Sequence, residues 1–277
     1  MEDQLVQLLL ATHASEEGPR KYAEQQLLSL YGHQELPLGL VKLAGHDAVP
    51  LNIRQAALLC LKSLVLAGWS DSFDEFKGQI LVTAETKAIV RQRLLSLATT
   101  DQLDRKLKGA ASLVVSKIAV ADYPVEWPDL LDTLLQLIPN ATDGQLHGAL
   151  KVLGELVEDC LNEHTFFGVA PPLIKMLYDE AVKDQRAPFL RALACKVFHG
   201  CFDILEMVME DHKATVKGFA DEVLKDWIPF FISVMNTRLP DPPSYHEEEH
   251  DAPNSDVYRG NVAFKLQVVK VSMPRGL

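Results

Sequence analysis

The sequence predicts an all-α chain, a right-handed superhelical solenoid of about six stacked helix pairs, and three observations carry that prediction. Apolar residues recur at helical spacing along almost all of the 277 residues, with few of the alternating runs that strands need. A single helix template recurs: a basic residue, Ala three positions on, then apolar residues four and seven positions after that Ala. It fits Arg20/Ala23/Leu27/Leu30, Arg54/Ala57/Leu61/Leu64, Lys108/Ala111/Val115/Ile118 and Arg191/Ala194/Phe198/Cys201. Leu146/Ala149/Leu153/Leu156 lacks only the base, and Arg259/Val262/Leu266/Val269 replaces the Ala. The composition, 48% hydrophobic and 23% charged, excludes collagen-like, wholly disordered and disulfide-framework chains.

The helix pairs follow in order as 3–13 with 17–31, 34–46 with 50–67, 84–99 with 103–120, 126–138 with 143–162, 165–183 with 187–209, and 212–238 with 257–272. In each template copy the apolar positions share one face, and the Ala lets a neighbouring helix approach its backbone. Asp47, Asp101 and Asp184 each stand seven residues before the basic residue of their copy. An Asp there is expected to cap its helix while the base meets an acidic group of the adjoining repeat. The template anchors are 34, 54, 38, 45 and 68 residues apart. A common unit of about 40–47 residues suits HEAT or armadillo repeats better than the strict 34 of tetratricopeptide units.

The two long intervals locate insertions. One lies near residues 68–83. The other is an acidic, Pro-rich loop, residues 239–256, with six acids, four prolines and no Lys or Arg, a composition that buries no core. The resulting organisation is HEAT repeats over 1–238, the acidic loop over 239–256 inserted in the last repeat, and the second helix of the sixth repeat over 257–277. The run Asp122-Tyr123-Pro124-Val125-Glu126-Trp127-Pro128 reads as an inter-repeat corner, with Pro128 in the first turn of the next helix and Trp127 covering the junction.

Charge and motifs narrow the function. The formal net charge is −11, which argues against a duplex nucleic-acid binder and favours basic partners. Cys60, Cys160, Cys195 and Cys201 form no C-x-x-C pair, so four free thiols in a reducing compartment are expected. The amino terminus has no secretory signal pattern and no apolar run approaches the ~20 residues of a membrane span, so a soluble intracellular protein without a membrane partner is expected. Nucleotide-binding and hydrolase signatures are missing from the letters, and no cofactor is expected. His246-Glu247-Glu248-Glu249-His250 matches the H-E-x-x-H zinc protease pattern, but Pro240, Pro242, Pro243 and Pro253 flank it and no apolar face or third ligand accompanies it. It reads as solvated acidic surface. Phe166/Phe167 and Phe230/Phe231 read as packing groups.

Several segments carry a family resemblance. Arg20-Lys21-Tyr22-Ala23-Glu24-Gln25-Gln26-Leu27 and Arg54-Gln55-Ala56-Ala57-Leu58-Leu59-Cys60-Leu61-Lys62 resemble the amino-terminal signature of the importin-β (karyopherin-β) family. The Asp122-Tyr123-Pro124 to Trp127-Pro128 corner matches the family's D-[YF]-P-x-x-W-P. Tyr258-Arg259-Gly260 with Lys265-Leu266-Gln267-Val268-Val269-Lys270 looks most like the importin-nine branch. The resemblance covers nearly the whole chain and stops near Val271.

That resemblance implies a non-enzymatic nuclear import receptor, shuttling between cytoplasm and nucleus and represented here by its amino-terminal part. It implies binding of the GTP form of the GTPase Ran through the concave second helices of the first repeats, of basic cargo such as core histones, and of nucleoporins by the full-length receptor. The Ran-facing candidates are Gln25, Ser29, Gln55, Lys62, Ser63, Lys108, Ser112 and Ser116, with Lys62 foremost because it follows the family's Leu-Lys pattern. Asp241, Glu247, Glu248, Glu249, Asp251 and Asp256 are the acidic loop residues expected to face basic cargo. The fold alone also allows a generic HEAT scaffold that does not recognise Ran.

Overall fold

The computed structural model describes residues 2–209, 212–242 and 253–272. Among them are twelve α-helices and no strand. They run α1 (Glu2–Ala11), α2 (Glu17–Ser29), α3 (Glu35–Gly45), α4 (Leu51–Gly68), α5 (Ala84–Ala98), α6 (Arg105–Asp122), α7 (Leu130–Leu137), α8 (Asp143–Asp159), α9 (Glu163–Val182), α10 (Pro188–Met207), α11 (Lys213–Asn236) and α12 (Pro253–Ser272). These are the six expected pairs. The chain divides into two compact units, Met1–Leu130 and Leu131–Leu277.

In the first unit, α4 is central, packed on its pair partner α3, on α6 and on α1, while α3 also meets α5. By composition α4 is long and apolar enough to pass for a membrane span, against the expectation from its letters, but most of its apolar residues are used in packing. In the second unit α10 is central, against α8, α9 and α12. Its core is aromatic: the Phe198 ring stacks on Trp227 at 3.6 Å and 9°, and Phe231 leans on both.

The template explains this packing. Ala23, Ala57, Ala111, Ala149 and Ala194 are all fully buried, and so are most of their +4 and +7 partners, among them Leu61, Leu64, Val115, Ile118, Leu153 and Phe198. Each such side chain removed from water contributes roughly 1.5–3 kcal/mol before entropy is counted. The sixth copy is a correction. Leu266 is 55% exposed, whereas Phe264 and Val268 are buried. The small residue of closest approach in α12 is Gly260, where a Cβ would come within 3.3 Å of the Phe189 backbone nitrogen. The register of α12 is therefore set by Gly260, Phe264 and Val268, not by Val262.

The repeated Asp and base form a staple within one pair. The Arg54 Nε donates to the Ala44 carbonyl at 2.8 Å and its terminal nitrogen meets Asp47 at 3.0 Å. Arg191 does the same with the Ala181 carbonyl at 2.7 Å and Asp184 at 2.9 Å. Lys108 Nζ donates to the Asp101 carbonyl at 2.9 Å. Each base thus reaches back from the second helix to the end of the first or to the connecting turn, where helical carbonyls lack partners. The expected bond to an adjoining repeat and the expected Asp caps are both corrected: Asp104, not Asp101, caps α6 by accepting from the Lys106 amide at 2.8 Å.

The insertion after α4 and the proline corner are joined at Asp122. Its carboxylate, 4% exposed, accepts from the Trp69 indole N–H at 3.0 Å and from Arg91 at 2.9 Å. Lys87 donates to the Trp69 carbonyl at 2.5 Å. The insertion returns across Gly68, where any Cβ would meet the Leu81 side chain at 2.6 Å, so only glycine admits this path. Trp127 is buried with the Arg91 guanidinium 6.0 Å from its ring centre. Pro128, expected inside the next helix, precedes it, because residues 126–129 turn back and the Trp127 amide donates to the Asp122 carbonyl at 2.9 Å.

The acidic insertion is shorter than expected at its far end. Pro253 to Asp256 belong to α12, with Pro253 at the first helical position, where its missing N–H costs nothing.

Replacing Arg54 with Ala is expected to cost about 2 kcal/mol in urea unfolding, because the Ala44 carbonyl loses its donor. Asp47→Ala, at a side chain 93% exposed, is expected to stay within about 1 kcal/mol. Equal losses for the two would contradict the staple as described. Asp122→Ala is expected to cost about 3 kcal/mol, since it strands the Arg91 charge and the Trp69 N–H in the interior; unfolding followed by Trp fluorescence measures it.

Candidate protein-docking face

Of the second helices of the first unit, α4 and α6 each bury one broad arc against their neighbours and leave a narrower arc free, while α2 buries only Ala23 and Leu27. Their exposed residues follow helical spacing. Among them are Gln25, Leu28 and Ser29 on α2; Gln55, Leu59, Lys62 and Ser63 on α4; and Lys106, Ala110, Leu113, Lys117 and Val120 on α6. Gln55, Lys62, Ala110, Leu113 and Lys117 are half-buried and the others exposed.

Five of the eight residues picked from the sequence therefore stand on this arc: Gln25, Ser29, Gln55, Lys62 and Ser63. The hydroxyls of Ser29 and Ser63 donate to their own helix, to the Gln26 carbonyl at 2.7 Å and the Leu59 carbonyl at 3.2 Å. The other three are corrected. Lys108 is 2% exposed, and Ser112 and Ser116 are 0% exposed. Ser112 donates to the Lys108 carbonyl at 2.7 Å and Ser116 to the Leu113 carbonyl at 3.0 Å. These small side chains sit where helices approach closely, and Lys108 serves its staple. Gly109, Leu113 and Lys117, each one position later and so about 100° further round the helix, are the half-exposed residues instead.

The sequence reading also missed the apolar content of the arc. Leu28 is 58% and Leu59 is 55% exposed. Their signal was present, since both fall outside the Ala/+4/+7 stripe on helices that are otherwise amphipathic. Between them α1, α2 and α4 enclose a groove of about 460 Å³, lined by Leu27, Leu28, Tyr31, Leu59, Cys60 and Ser63. The Tyr31 hydroxyl is hydrogen-bonded with Ser63 and with the Cys60 thiol. Burial pushes the Cys60 thiol up to about 11 and raises the Tyr31 hydroxyl further, so both are neutral at physiological pH and the groove floor carries no charge. Glu24 and His13 also line it, and Lys62 stands on the same arc of α4 as Leu59 and Ser63. A largely apolar groove edged by polar and charged side chains is the composition of a protein contact.

The acidic segment is only partly described. Asp241 is exposed and pairs with Arg238 at 3.4 Å. Glu247, Glu248, Glu249 and Asp251, with the His246 to His250 motif, lie outside the described residues; Asp256 falls within α12, and its side chain is likewise not described. No group of three or more His, Cys, Asp or Glu converges among the described residues.

Comparison with known proteins follows the same lines. Residues 23–100, which hold the second half of α2 and all of α3 to α5, match the importin-beta N-terminal domain. Importin subunit beta-5 of Schizosaccharomyces pombe is 30% identical over 246 residues, covering 87% of this chain and 24% of the relative. Importin-9 of Drosophila melanogaster is 23% identical over 167 residues, 60% of this chain and 16% of the relative. The chain thus spans about a quarter or less of the length of the curated relatives it matches. Among solved structures, the exportin Cse1 in its cargo-free, cytoplasmic state superposes with a TM-score of 0.68 at 16% identity, over 98% of this chain and 29% of that one. Kap95p, in the complex where its binding induces the switch loops of RanGDP to adopt the GTP-bound conformation, gives 0.59 at 15% identity, over 98% and 34%. The structural likenesses show the HEAT-repeat solenoid fold. By the matched domain and its sequence relatives, the chain carries an importin-beta N-terminal domain over residues 23–100 and is similar to importins over most of its length.

Proposed function

We propose that this chain is the Ran-binding amino-terminal part of a nuclear transport receptor, and that the free arc of α2, α4 and α6 is where the GTP form of Ran docks. The observation that carries the reading is the groove between Leu28 and Leu59, with Lys62 next along the same arc of α4 as Leu59 and Ser63. The revised contact set is Gln25, Leu28, Ser29, Gln55, Leu59, Lys62 and Ser63, extended on α6 by Lys106, Leu113 and Lys117. Apolar anchors at the centre supply affinity by desolvation, while the lysines select a partner of opposite charge and speed its approach. Support for Ran as the partner comes from Kap95p, whose complex with Ran has the same fold.

Basic proteins are the cargo class that suits a chain of net charge −11, with core histones the example expected from the family resemblance. Nucleoporin contact and movement between cytoplasm and nucleus belong to the full-length receptor in this reading. The receptor catalyses no reaction and needs no cofactor.

Titration calorimetry of the whole chain against Ran loaded with GTP or with GDP tests the assignment. Binding is expected for the GTP form, weakened about tenfold or more by Leu59→Asp and by Lys62→Glu. Arg93→Glu, on the exposed side of the first helix α5, is expected to leave it unchanged. Binding to neither form would leave a HEAT scaffold with some other partner, and binding that ignores Leu59 and Lys62 would move the site elsewhere.

A further inference from the structure

The insertion after α4 meets the start of α5 and the end of α6 around a cavity of about 550 Å³ that lies wholly in the first unit. Ile80, Leu81, Ala84 and Ala121 give it an apolar lining, and Lys87, Arg91, Asp122 and Glu126 give it charge. Ala84, Lys87 and Arg91 stand at i, i+3 and i+7 of α5, so one helix face carries both cations. The wall made by the insertion is fixed in place. The Gln34 amide donates to the Leu81 carbonyl at 2.7 Å and accepts from the Thr83 N–H at 2.9 Å, while the Leu81 N–H donates to the Gly68 carbonyl at 2.8 Å.

Both cations keep donors in reserve. Arg91, with a side chain 14% accessible, bonds the Asp122 carboxylate through Nη1; its Nε and Nη2 have no partner among the described residues, and neither is sealed from solvent. Lys87 donates to the Trp69 carbonyl alone, which uses one of its three N–H groups. The acids leave room for a further anion. Asp122 is already held by the Trp69 N–H and Arg91, and Glu126 is exposed, where salt screens it. Burial, with Arg91 adding to it, holds the Lys87 amine below its ordinary value in spite of Asp122, Glu126 and Asp71. An anion in the cavity offsets that burial.

A guanidinium edge beside an ammonium is a carboxylate receptor. Because the apolar lining shares the same cavity, a fitting occupant carries an apolar side chain next to its carboxylate, as the last residue of a peptide does. We propose that this cavity captures the free carboxy-terminus of a partner peptide whose last side chain is aliphatic, the carboxylate on Arg91 and Lys87 and the side chain against Ile80 and Leu81. The inference does not rest on Ran binding, which is assigned to other residues.

Lys87 lies 5.3 Å from the Trp69 ring centre and Arg91 6.0 Å from that of Trp127, so the intrinsic fluorescence of the whole chain reports occupancy. Titration with acetyl-alanyl-glycyl-leucine, its carboxylate free, is expected to give a saturable change at millimolar peptide, and its carboxy-terminal amide to bind about tenfold more weakly. Lys87→Gln, which keeps a donor for the Trp69 carbonyl, and Ile80→Glu, at a residue 47% exposed, are each expected to weaken binding of the acid about tenfold with the helical circular dichroism retained. Absence of a saturable change overturns the proposal, as does an amide that binds as tightly as the acid or binding indifferent to either variant. Acetyl-alanyl-aspartyl-leucine amide, whose one carboxylate is a side chain, is expected to bind as poorly as the amide control; affinity equal to that of the free acid overturns the assignment to a chain end.

Discussion

The bond from a buried cation back to the end of the preceding helix is the constraint on which the helix pairs depend. An α-helix ends with carbonyls that have no intrahelical partner, and burying such an end is costly unless a donor reaches it. Arg54 and Arg191 supply that donor from the first turn of the following helix, to Ala44 and Ala181, and use their remaining reach to hold the Asp of the intervening turn. A guanidinium suits this task because its fixed fork can bond a carbonyl and a carboxylate at once. Lys108, with a single ammonium, reaches the Asp101 carbonyl instead. The angle between the helices of a pair is set at this turn, and the buried Ala three residues further on then determines how closely the next helix can lie.

Asp122 plays the corresponding part at the corner that ends the first unit. Its carboxylate gathers the Trp69 indole of the long insertion and the Arg91 guanidinium of α5, while its backbone carbonyl receives the amides of Glu126 and Trp127. One buried acid therefore ties a loop, a first helix and a proline turn together. A buried charge of this kind is tolerated because every side of it is hydrogen-bonded.

The free arc of α2, α4 and α6 is what remains once these contacts are made. The helix α4 touches its pair partner α3 as well as α6, and α6 touches its pair partner α5 as well as α4, so most of the circumference of each is buried. The residual arc is narrow, and a shift of one residue moves a side chain off it. That is why Gln25, Ser29, Gln55, Lys62 and Ser63 were legible as surface residues while Lys108, Ser112 and Ser116 were misplaced: Ser, and a Lys whose ammonium is held by the Asp101 carbonyl, look polar in the letters yet pack well where helices approach closely. The exposed Leu28 and Leu59 were overlooked for the converse reason, since an apolar residue on an amphipathic helix is ordinarily assigned to the core.

By itself the sequence determined that the chain is a helical repeat array, how many pairs it holds, and, to within a few residues, where most of the helices begin and end. Apolar periodicity and prolines act over a few neighbouring positions and are readable in one dimension. Tertiary structure alone decided which partner each charged residue meets, that Gly260 and not Val262 sets the register of α12, and which arc of each helix stays free. Those outcomes depend on helices distant in sequence, and the burial of a side chain is a property of its neighbours rather than of its own letter.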